Sequence, residues 1–342
     1  MKSFKWFIII LSILCLVSCS LKPRGWWNEG VIAVMADSTD WEMLQGTLRS
    51  TFERVVRTPQ IEKMYSVKYV TKPEFSRYTE YRHLVLVATL QSRGEIGRIV
   101  ERVVADPEIR KGVEEGRYYV FTQRGQWAKD QLMVILVAKD IPALRQQLNT
   151  NSEFIYGIFD TDFKERVREE MFERGEQKDL ENTLMTSHGW RVRLQRDYYL
   201  VQNLPSEGFC WFRRLLPERW LFVRWIDGGD TTMLNTEWVV GERNRIGAEY
   251  YGADRIASQY FFSHRSTFLG REAQITTGLW ENETKIAGGP FKNYTFYDPL
   301  QRRIYMVDIA VFAPGRDKVP FLRRLDIIAN TFRTVFDLEN EE

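Results

Sequence analysis

The hydrophobic pattern changes its period once along the chain, and this change limits the possible folds more than any other feature. Before about residue 150, apolar runs that suit buried strands alternate with segments whose apolar residues recur at helical spacing. From Trp190 onward, short segments alternate apolar and polar residues between turns rich in Pro and Gly. The first pattern indicates helices packed on a sheet, and the second indicates antiparallel strands.

The first half is predicted to hold strands at residues 31–35, 65–70, 83–90, 118–122 and 132–138. The first helix is predicted to begin with Thr39 as N-cap and Glu42 in a capping box, and to end before Pro59. A second helix is predicted to close at Asp106-Pro107, and a third to begin at Asp140. The first helix is expected to bury one face, formed by Trp41, Leu44, Leu48, Phe52 and Val55.

Residues 151–189 form a highly charged helical connection that ends at His188-Gly189. Its apolar residues make one stripe, formed by Phe154, Ile158, Phe163, Val167 and Met171. Packing of this stripe on its own domain and packing on a partner remain open alternatives.

The second half is rich in aromatic residues and turns. Strands are predicted at residues 190–194, 198–201, 208–212, 220–226, 273–280, 292–297 and 303–312, with a less regular stretch at 231–262. A last helix follows Pro314-Gly315 and is predicted to carry Phe321, Leu325, Ile328 and Phe332 at helical spacing. The predicted fold class is therefore α+β. An N-terminal mixed α/β layer with helices over a sheet precedes the charged connection and a C-terminal antiparallel sheet closed by a terminal helix.

The N-terminus has the layout of a bacterial lipoprotein signal. Lys2 and Lys5 precede an apolar run at residues 6–17, which is too short to span a membrane, and the run closes with Ser18-Cys19. Cys19 is the predicted lipidation site, although an ordinary secretory peptide remains the alternative. The predicted organisation is a signal peptide (1–18), a tether (19–28), an N-terminal domain (29–150), the helical connection (151–189), a C-terminal domain (190–336) and an acidic tail (337–342).

Composition narrows the function classes. The 48 basic and 46 acidic side chains include Lys2 and Lys5, so the chain without its leader is formally neutral. This balance gives no electrostatic case for nucleic acid or for anionic membranes. Without the leader and Cys19, only Cys210 remains; no internal disulfide is then possible, and its aromatic neighbours predict burial. The histidines His83, His188 and His264 lack metal-ligand spacing, so no metal or cofactor is expected.

The common cofactor and hydrolase signatures are absent from the sequence. Two carboxylate pairs, Asp160 with Asp162 and Asp227 with Asp230, occur in turn-like contexts where Asp is expected to cap the backbone. A pair of this kind acting in glycoside hydrolysis is the sharper alternative.

The richest group of candidate residues lies between Arg243 and Asp298. Arginines, aromatics and glycine turns in this stretch could line a cleft for a sugar or an anion, or they could serve an aromatic-rich sheet. The candidate binding surface consists of Arg243, Arg271, Trp280, Tyr294 and Asp298.

Four short motifs carry a resemblance to a family. They are Pro59-Gln60-x-Glu62, Gly278-x-Trp280, Gly288-Gly289-Pro290-Phe291, and Ala313-Pro314-Gly315 followed by Lys318. Together with the lipoprotein signal, they resemble an uncharacterised family of Gram-negative bacterial lipoproteins that is known only as a domain of unknown function. The resemblance supports an envelope address and implies no activity, cofactor or catalytic residue.

These observations favour a membrane-anchored envelope lipoprotein that acts as a non-enzymatic binding or assembly module. It is expected to be held at the outer membrane by its N-terminal lipid, to face the periplasm, and to bind an envelope protein, glycan or lipid. Ser20 after the cysteine favours the outer membrane. The alternative is a hydrolase that acts on envelope glycans. Two carboxylates facing each other across a cleft would favour the hydrolase.

Overall fold

The computed structural model describes residues 29–173 and 175–339, which divide into two compact units. The first unit contains residues 29–54 and 63–163, and the second contains residues 55–62 together with the described residues from 164 onward. The predicted domains instead placed residues 55–62 in the N-terminal domain and treated residues 151–189 as a separate connection. The signal peptide and the whole tether, which includes Cys19, lie outside the described residues.

The strands are named in chain order. They are β1 (Val31–Ala36), β2 (Val55–Thr58), β3 (Gln60–Lys63), β4 (Ser66–Val70), β5 (His83–Thr89), β6 (Val120–Arg124), β7 (Leu132–Ala138), β8 (Trp190–Arg191), β9 (Tyr199–Leu204), β10 (Phe209–Arg214), β11 (Glu218–Asp227), β12 (Asp254–Phe268), β13 (Arg271–Asn282), β14 (Gly288–Asp298), β15 (Arg303–Phe312) and β16 (Arg333–Thr334).

The helices are also named in chain order. They are α1 (Ser38–Phe52), α2 (Phe75–Tyr78), α3 (Glu95–Val103), α4 (Pro107–Glu114), α5 (Ile141–Thr150), α6 (Ser152–Glu173), α7 (Lys178–His188), α8 (Thr236–Tyr250), α9 (Val319–Ala329) and α10 (Val335–Glu339). No helix among the described residues is both long enough and apolar enough to cross a membrane.

The first unit is a mixed sheet covered on both faces. Its strand order is β4-β1-β5-β7-β6, with β6 antiparallel to β7 and the other neighbouring pairs parallel. Helices α1 and α5 pack on one face through Leu44, Leu48 and Leu144. Helices α3 and α4 pack on the other face through Val100 and Val113. Strands β5 and β7 are buried along their whole length, as expected for strands covered on both sides.

Two predicted helix ends in this unit were wrong. The N-cap of α1 is Asp37, not Thr39, and α1 ends at Phe52, so that Val55 is an exposed strand residue. Asp106 does not close a helix. Its side chain accepts hydrogen bonds from the backbone N–H groups of Glu108 and Ile109, so it caps α4, which the sequence analysis missed. Pro107 suits this first turn because its missing N–H would have no partner there.

The second unit is built on a seven-stranded antiparallel sheet. The strand order is β12-β13-β14-β15-β11-β10-β9, and α9 packs on β11 and β15. Together with the mixed sheet of the first unit, this confirms the predicted α+β class. The predicted strand at 190–194 is shorter, because only Trp190–Arg191 pairs, with β16. Helix α8 lies in the stretch that was left irregular, since only Val239 and Ile246 give it a buried apolar face.

The β2–β3 hairpin joins the second unit through a carboxylate. Glu62 is buried, and one of its oxygens accepts hydrogen bonds from the backbone N–H groups of Lys318 (2.7 Å) and Val319 (2.8 Å). The Thr58 hydroxyl donates to the other oxygen. Glu62 therefore satisfies donors at the N-terminus of α9, where a negative charge is favourable. The first and last motifs of the family resemblance thus meet at one structural contact.

Candidate functional site

A cavity of about 360 Å³ lies in the second unit and is lined by arginines. Arg214 comes from β10, Arg219 from β11, Arg324 from α9, and Arg316 from the segment between β15 and α9. The rest of the lining is formed by Val167, Glu170, Met171, Gln195, Leu216, Pro217 and Phe321. Four arginines and a single acidic residue thus surround a space large enough for a small ligand group.

Arg219 is the most buried of the four arginines, with 4% of its surface exposed. Its guanidinium lies 5.0 Å from the centre of the Phe321 ring, and its Nε donates to the carbonyl of Pro217 at 3.3 Å. Arg219 forms no ion pair with any carboxylate in the part of the chain that the structure describes. A charge that is buried without a counter-ion is costly, so its side chain is suited to a partner from outside.

The neighbours of Arg219 act in both directions. Burial lowers the pKa of Arg219 most; the like charges of Arg214 and Arg324 lower it too, whereas Tyr198 and Asp197 act to raise it. Arg214 pairs with Asp197 at 2.5 Å and donates to the Gln195 side chain at 3.0 Å. Because Arg214 already has a carboxylate partner, Asp197 compensates only part of the positive charge at this end of the sheet.

The arrangement suits an anion. A guanidinium presents planar, paired N–H donors that match the oxygens of a phosphate, sulfate or carboxylate, and it keeps its charge at any physiological pH. Phe321 and Met171 add apolar lining beside the charged groups. The site can therefore hold an anionic group next to a nonpolar portion of the same ligand.

The five residues of the predicted binding surface are all buried and do not form one exposed surface. Arg243 donates to Asp308 at 2.9 Å, and Asn293 donates to the same oxygen at 2.9 Å. The Arg243 guanidinium also lies 3.9 Å from the centre of the Phe291 ring. Trp280 belongs to the same core cluster as Phe291. This group is part of the core, and the Arg243 charge is paired within it.

The other three residues lie in a second group. Arg271 pairs with Asp337 at 2.7 Å and with Asp298 at 3.5 Å. The Thr334 hydroxyl donates to Asp298 at 2.5 Å. The Tyr294 hydroxyl donates to Asp326 on α9. These contacts hold the terminal helices and β16 to the sheet, which explains why arginines and aromatics accumulate in this stretch.

The arginine cavity escaped the sequence analysis because its residues are far apart in sequence. Two pairs of consecutive arginines, Arg213-Arg214 and Arg323-Arg324, indicate local positive charge. Arg219, which directly precedes a predicted apolar strand, is a third indication. The topology that brings β10, β11 and α9 to one place cannot be read from these signals alone.

A second cavity, of about 470 Å³, lies in the first unit where β1 and β5 end. The segments that follow these two parallel strands line it, and their helices α1 and α3 cover opposite faces of the sheet. In α/β folds, this reversal of strand order at the carboxyl edge commonly creates a ligand-binding crevice. Two carboxylates, Asp37 and Asp40, are among the lining residues.

The two carboxylates of this cavity have different environments. Asp37 accepts hydrogen bonds from the backbone N–H groups of Ile96 (3.1 Å) and Gly97 (3.2 Å) at the start of α3. Asp40 is 7% exposed and accepts a 2.5 Å hydrogen bond from the Ser92 hydroxyl. Burial raises the pKa of Asp40; the Ser92 hydrogen bond acts to lower it, and the charge of Asp37 raises it.

The remaining sequence candidates have structural partners. Cys210 is fully buried, as predicted, and its thiol contacts Asn203 at 3.2 Å. His83 and Arg124 both contact Asp162, at 3.0 Å and 2.5 Å. Asp227 pairs with Arg303. The Asp230 side chain caps the short 3-10 helix that follows it. Within the described residues, no cluster of three or more His, Cys, Asp or Glu side chains could hold a metal ion.

Two family models match the chain, one in each half. Residues 25–172 match a domain of unknown function (DUF8532), and residues 177–331 match another domain of unknown function (DUF4837). Both halves therefore match domains of unknown function. This confirms the predicted resemblance to an uncharacterised family, and the Gram-negative lipoprotein assignment stays a prediction. No curated protein matches the chain.

Solved structures show only weak similarity. A Bacteroides thetaiotaomicron VPI-5482 protein is 7% identical, with a TM-score of 0.27 over 43% of this chain and 46% of its own length. The Saccharomyces cerevisiae Ran-binding protein Mog1p is 11% identical, with a TM-score of 0.29 over 43% of this chain and 90% of its own. LpqN, described as involved in cell envelope biogenesis of Mycobacterium tuberculosis, is 13% identical, with a TM-score of 0.27 over 42% of this chain and 81% of its own. Similarity at this level does not indicate a function.

Proposed function

We propose that this chain is an envelope lipoprotein, anchored to the outer membrane through lipid on Cys19, that acts in the periplasm as a non-enzymatic binding module. Its second unit would bind an anionic group carried by an envelope protein, glycan or lipid. The observation that supports this proposal most strongly is Arg219, which is buried, makes no ion pair with a carboxylate in the described part of the chain, and lies beside a cavity that three further arginines line.

The physical argument concerns the cost of burying charge. Removing one partner of a buried ion pair typically costs about 3–5 kcal/mol, because the remaining charge is left uncompensated. Arg219 resembles such a remaining charge in part: burial, Arg214 and Arg324 disfavour its charged form, and Asp197 favours that form without making an ion pair with it. An anion that enters the cavity would supply the missing counter-charge, and it would accept the guanidinium N–H groups as hydrogen-bond donors.

The test uses the mature chain, residues 19–342, carrying Cys19→Ala so that no lipid is attached. Glycerol 1-phosphate and glycerol are compared by titration calorimetry, because the two compounds differ only in the phosphate. We expect the unlipidated mature chain to bind glycerol 1-phosphate and not glycerol. In the same background, Arg219→Met should weaken phosphate binding at least about tenfold, since a charged hydrogen bond contributes about 1.5–3 kcal/mol.

The matched control is Arg265→Gln. Arg265 is an exposed arginine on β12, at the far edge of the same sheet, and it pairs with Glu272. This substitution removes the same charge from the chain without touching the cavity, so binding should be unchanged. Equal losses in both variants, or equal binding of glycerol and glycerol 1-phosphate, would contradict the proposal.

The membrane address is tested separately. In cells, Cys19→Ala should prevent lipid attachment, so the protein should no longer incorporate radiolabelled palmitate and should keep its leader. Normal processing together with unchanged palmitate incorporation would contradict the lipoprotein assignment without affecting the binding proposal.

The cavity of the first unit favours the second candidate function, a hydrolase that acts on envelope glycans. Asp40 is buried in this cavity with a raised pKa, which suits a general acid, and Asp37 lines the same space. Asp40→Asn should then reduce glycan turnover by about 100-fold or more. Absence of turnover of envelope glycans by the unsubstituted chain would exclude this candidate.

A further inference from the structure

The arginine cavity lies beside an exposed apolar turn. The turn between β10 and β11 holds Leu215, which is 50% exposed, and Leu216, which is 92% exposed, while Leu216 also lines the cavity. Leu216 has a φ of 60°, a left-handed conformation that is unfavourable for a branched side chain. Two neighbouring leucines that face solvent at a turn are unusual, because burying such side chains is favourable.

Cationic side chains lie beside the turn. Arg214 and Arg219 flank the turn from the two strands and face the cavity. Apolar side chains thus project beside cationic groups at one end of the hairpin.

We infer that this end of the hairpin docks on an anionic lipid bilayer, with Leu215 and Leu216 inserted among the acyl chains and a lipid phosphate held in the arginine cavity. This inference rests on the proposed anion site and names its source as a membrane lipid. Charge complementarity favours an anionic bilayer, since four arginines and one glutamate line the cavity. A soluble anion would use the arginines but would leave the leucines in water.

The distinction gives a test with two separable readouts. The unlipidated mature chain is mixed with vesicles of phosphatidylcholine alone and with vesicles that also contain phosphatidylglycerol, and bound protein is measured by co-sedimentation. Calorimetry with glycerol 1-phosphate is run on the same samples. Phosphatidylglycerol and glycerol 1-phosphate share the phosphate group, so the two assays separate the phosphate from the bilayer.

We expect binding to vesicles that contain phosphatidylglycerol and little binding to phosphatidylcholine alone. The double variant Leu215→Ser with Leu216→Ser should lose about 100-fold in vesicle partition, because each leucine contributes about 1.5 kcal/mol or more when buried. Leu215→Ser alone, at a residue that does not line the cavity, should lose about tenfold in vesicle partition and keep its affinity for glycerol 1-phosphate. Arg219→Met should lose binding in both assays. The matched control is Phe262→Ser, which removes an exposed apolar residue from β12 at the opposite edge of the sheet and should change neither assay.

Each outcome decides between the two proposals. Vesicle binding that survives the leucine double variant, or that Phe262→Ser reduces equally, would overturn the docking inference. Binding of glycerol 1-phosphate without binding to vesicles would also overturn it, and the anion site would stand. Absence of binding in both assays would overturn the anion site and the docking inference together. Because Leu215 is exposed and does not line the cavity, Leu215→Ser is expected to fold normally, and its retained phosphate affinity would confirm this.

Discussion

Two buried arginines of the second unit, Arg243 and Arg219, differ in what faces their guanidinium groups. Arg243 is paired with Asp308, which also accepts a hydrogen bond from Asn293, and it stacks on Phe291. Arg219 also lies against an aromatic ring, that of Phe321, but its neighbours include Arg214 and Arg324. Burial alone therefore does not identify a functional arginine. Arg219 is the candidate because it makes no ion pair among the described residues and lines an open cavity.

The largest expected effect comes from making Arg243 resemble Arg219. Asp308→Asn removes the carboxylate and leaves the Arg243 charge buried and uncompensated. We expect the free energy of unfolding, measured in urea, to fall by about 3–5 kcal/mol. Binding of glycerol 1-phosphate by the folded variant should not change. A loss below about 1 kcal/mol would mean that the stability of the fold does not depend on the ion pair between Arg243 and Asp308. The difference between Arg243 and Arg219 would then not have the meaning given to it above.

A smaller effect is expected from removing the carboxylate of Asp326, which interacts with two lysines, Lys292 and Lys164. Burial acts to raise the pKa of Asp326, but Lys292, Lys164 and the Tyr294 hydroxyl outweigh it, so the pKa lies below its usual value. Because the folded pKa is lower than the unfolded pKa, this carboxylate stabilises the fold above pH 4 or so, and the contribution is lost as the pH falls through the folded pKa.

Asp326→Asn should therefore lower the free energy of unfolding by about 1.5–3 kcal/mol at neutral pH, and by less as the pH falls below about 4. Urea unfolding of both chains across this pH range measures the difference. A difference that is constant with pH would contradict the assigned role of the two lysines.

The composition could not reveal either arginine environment. Without the leader, the chain has equal numbers of acidic and basic residues, which gives no electrostatic case for an anionic membrane, and this average conceals a local excess of positive charge. Helical and strand periodicity predicted most elements, because β7 and β15 bury nearly continuous apolar runs and α9 repeats its apolar residues regularly. Periodicity reports burial, and it does not report which charges meet.

The parts of the fold that were missed depend on tertiary contacts. The β2–β3 hairpin carries few apolar residues, and its place in the second unit depends on Glu62 meeting the N-terminus of α9. Helix α8 buries Arg243 on its inner face, so its sequence lacks the apolar stripe that identifies a helix. A sequence pattern cannot show that a buried charge will find its partner 65 residues away.

The smallest effect is expected at Cys210, where a buried polar group is satisfied within the sheet. Burial raises the pKa of the thiol to about 12, and the side chain is fully enclosed. A thiol reagent at neutral pH should therefore label Cys210 only after unfolding, because the reacting species is the thiolate. Rapid labelling of the folded, unlipidated mature chain, followed by mass spectrometry, would show instead that this part of the sheet opens.

The most direct test of the central claim compares the unlipidated mature chain with its Arg219→Met variant in urea unfolding, at equal ionic strength, with and without glycerol 1-phosphate. Without the phosphate, the variant should be at least as stable, because methionine removes a buried charge that makes no ion pair among the described residues and keeps the packing on Phe321. At about 100 times the dissociation constant, the unsubstituted chain should gain about 2.7 kcal/mol and the variant nothing, so that the order of stability reverses. An unsubstituted chain that is more stable in the absence of phosphate, and that responds to phosphate no more than the variant, would show that Arg219 belongs to the fold and not to a binding site.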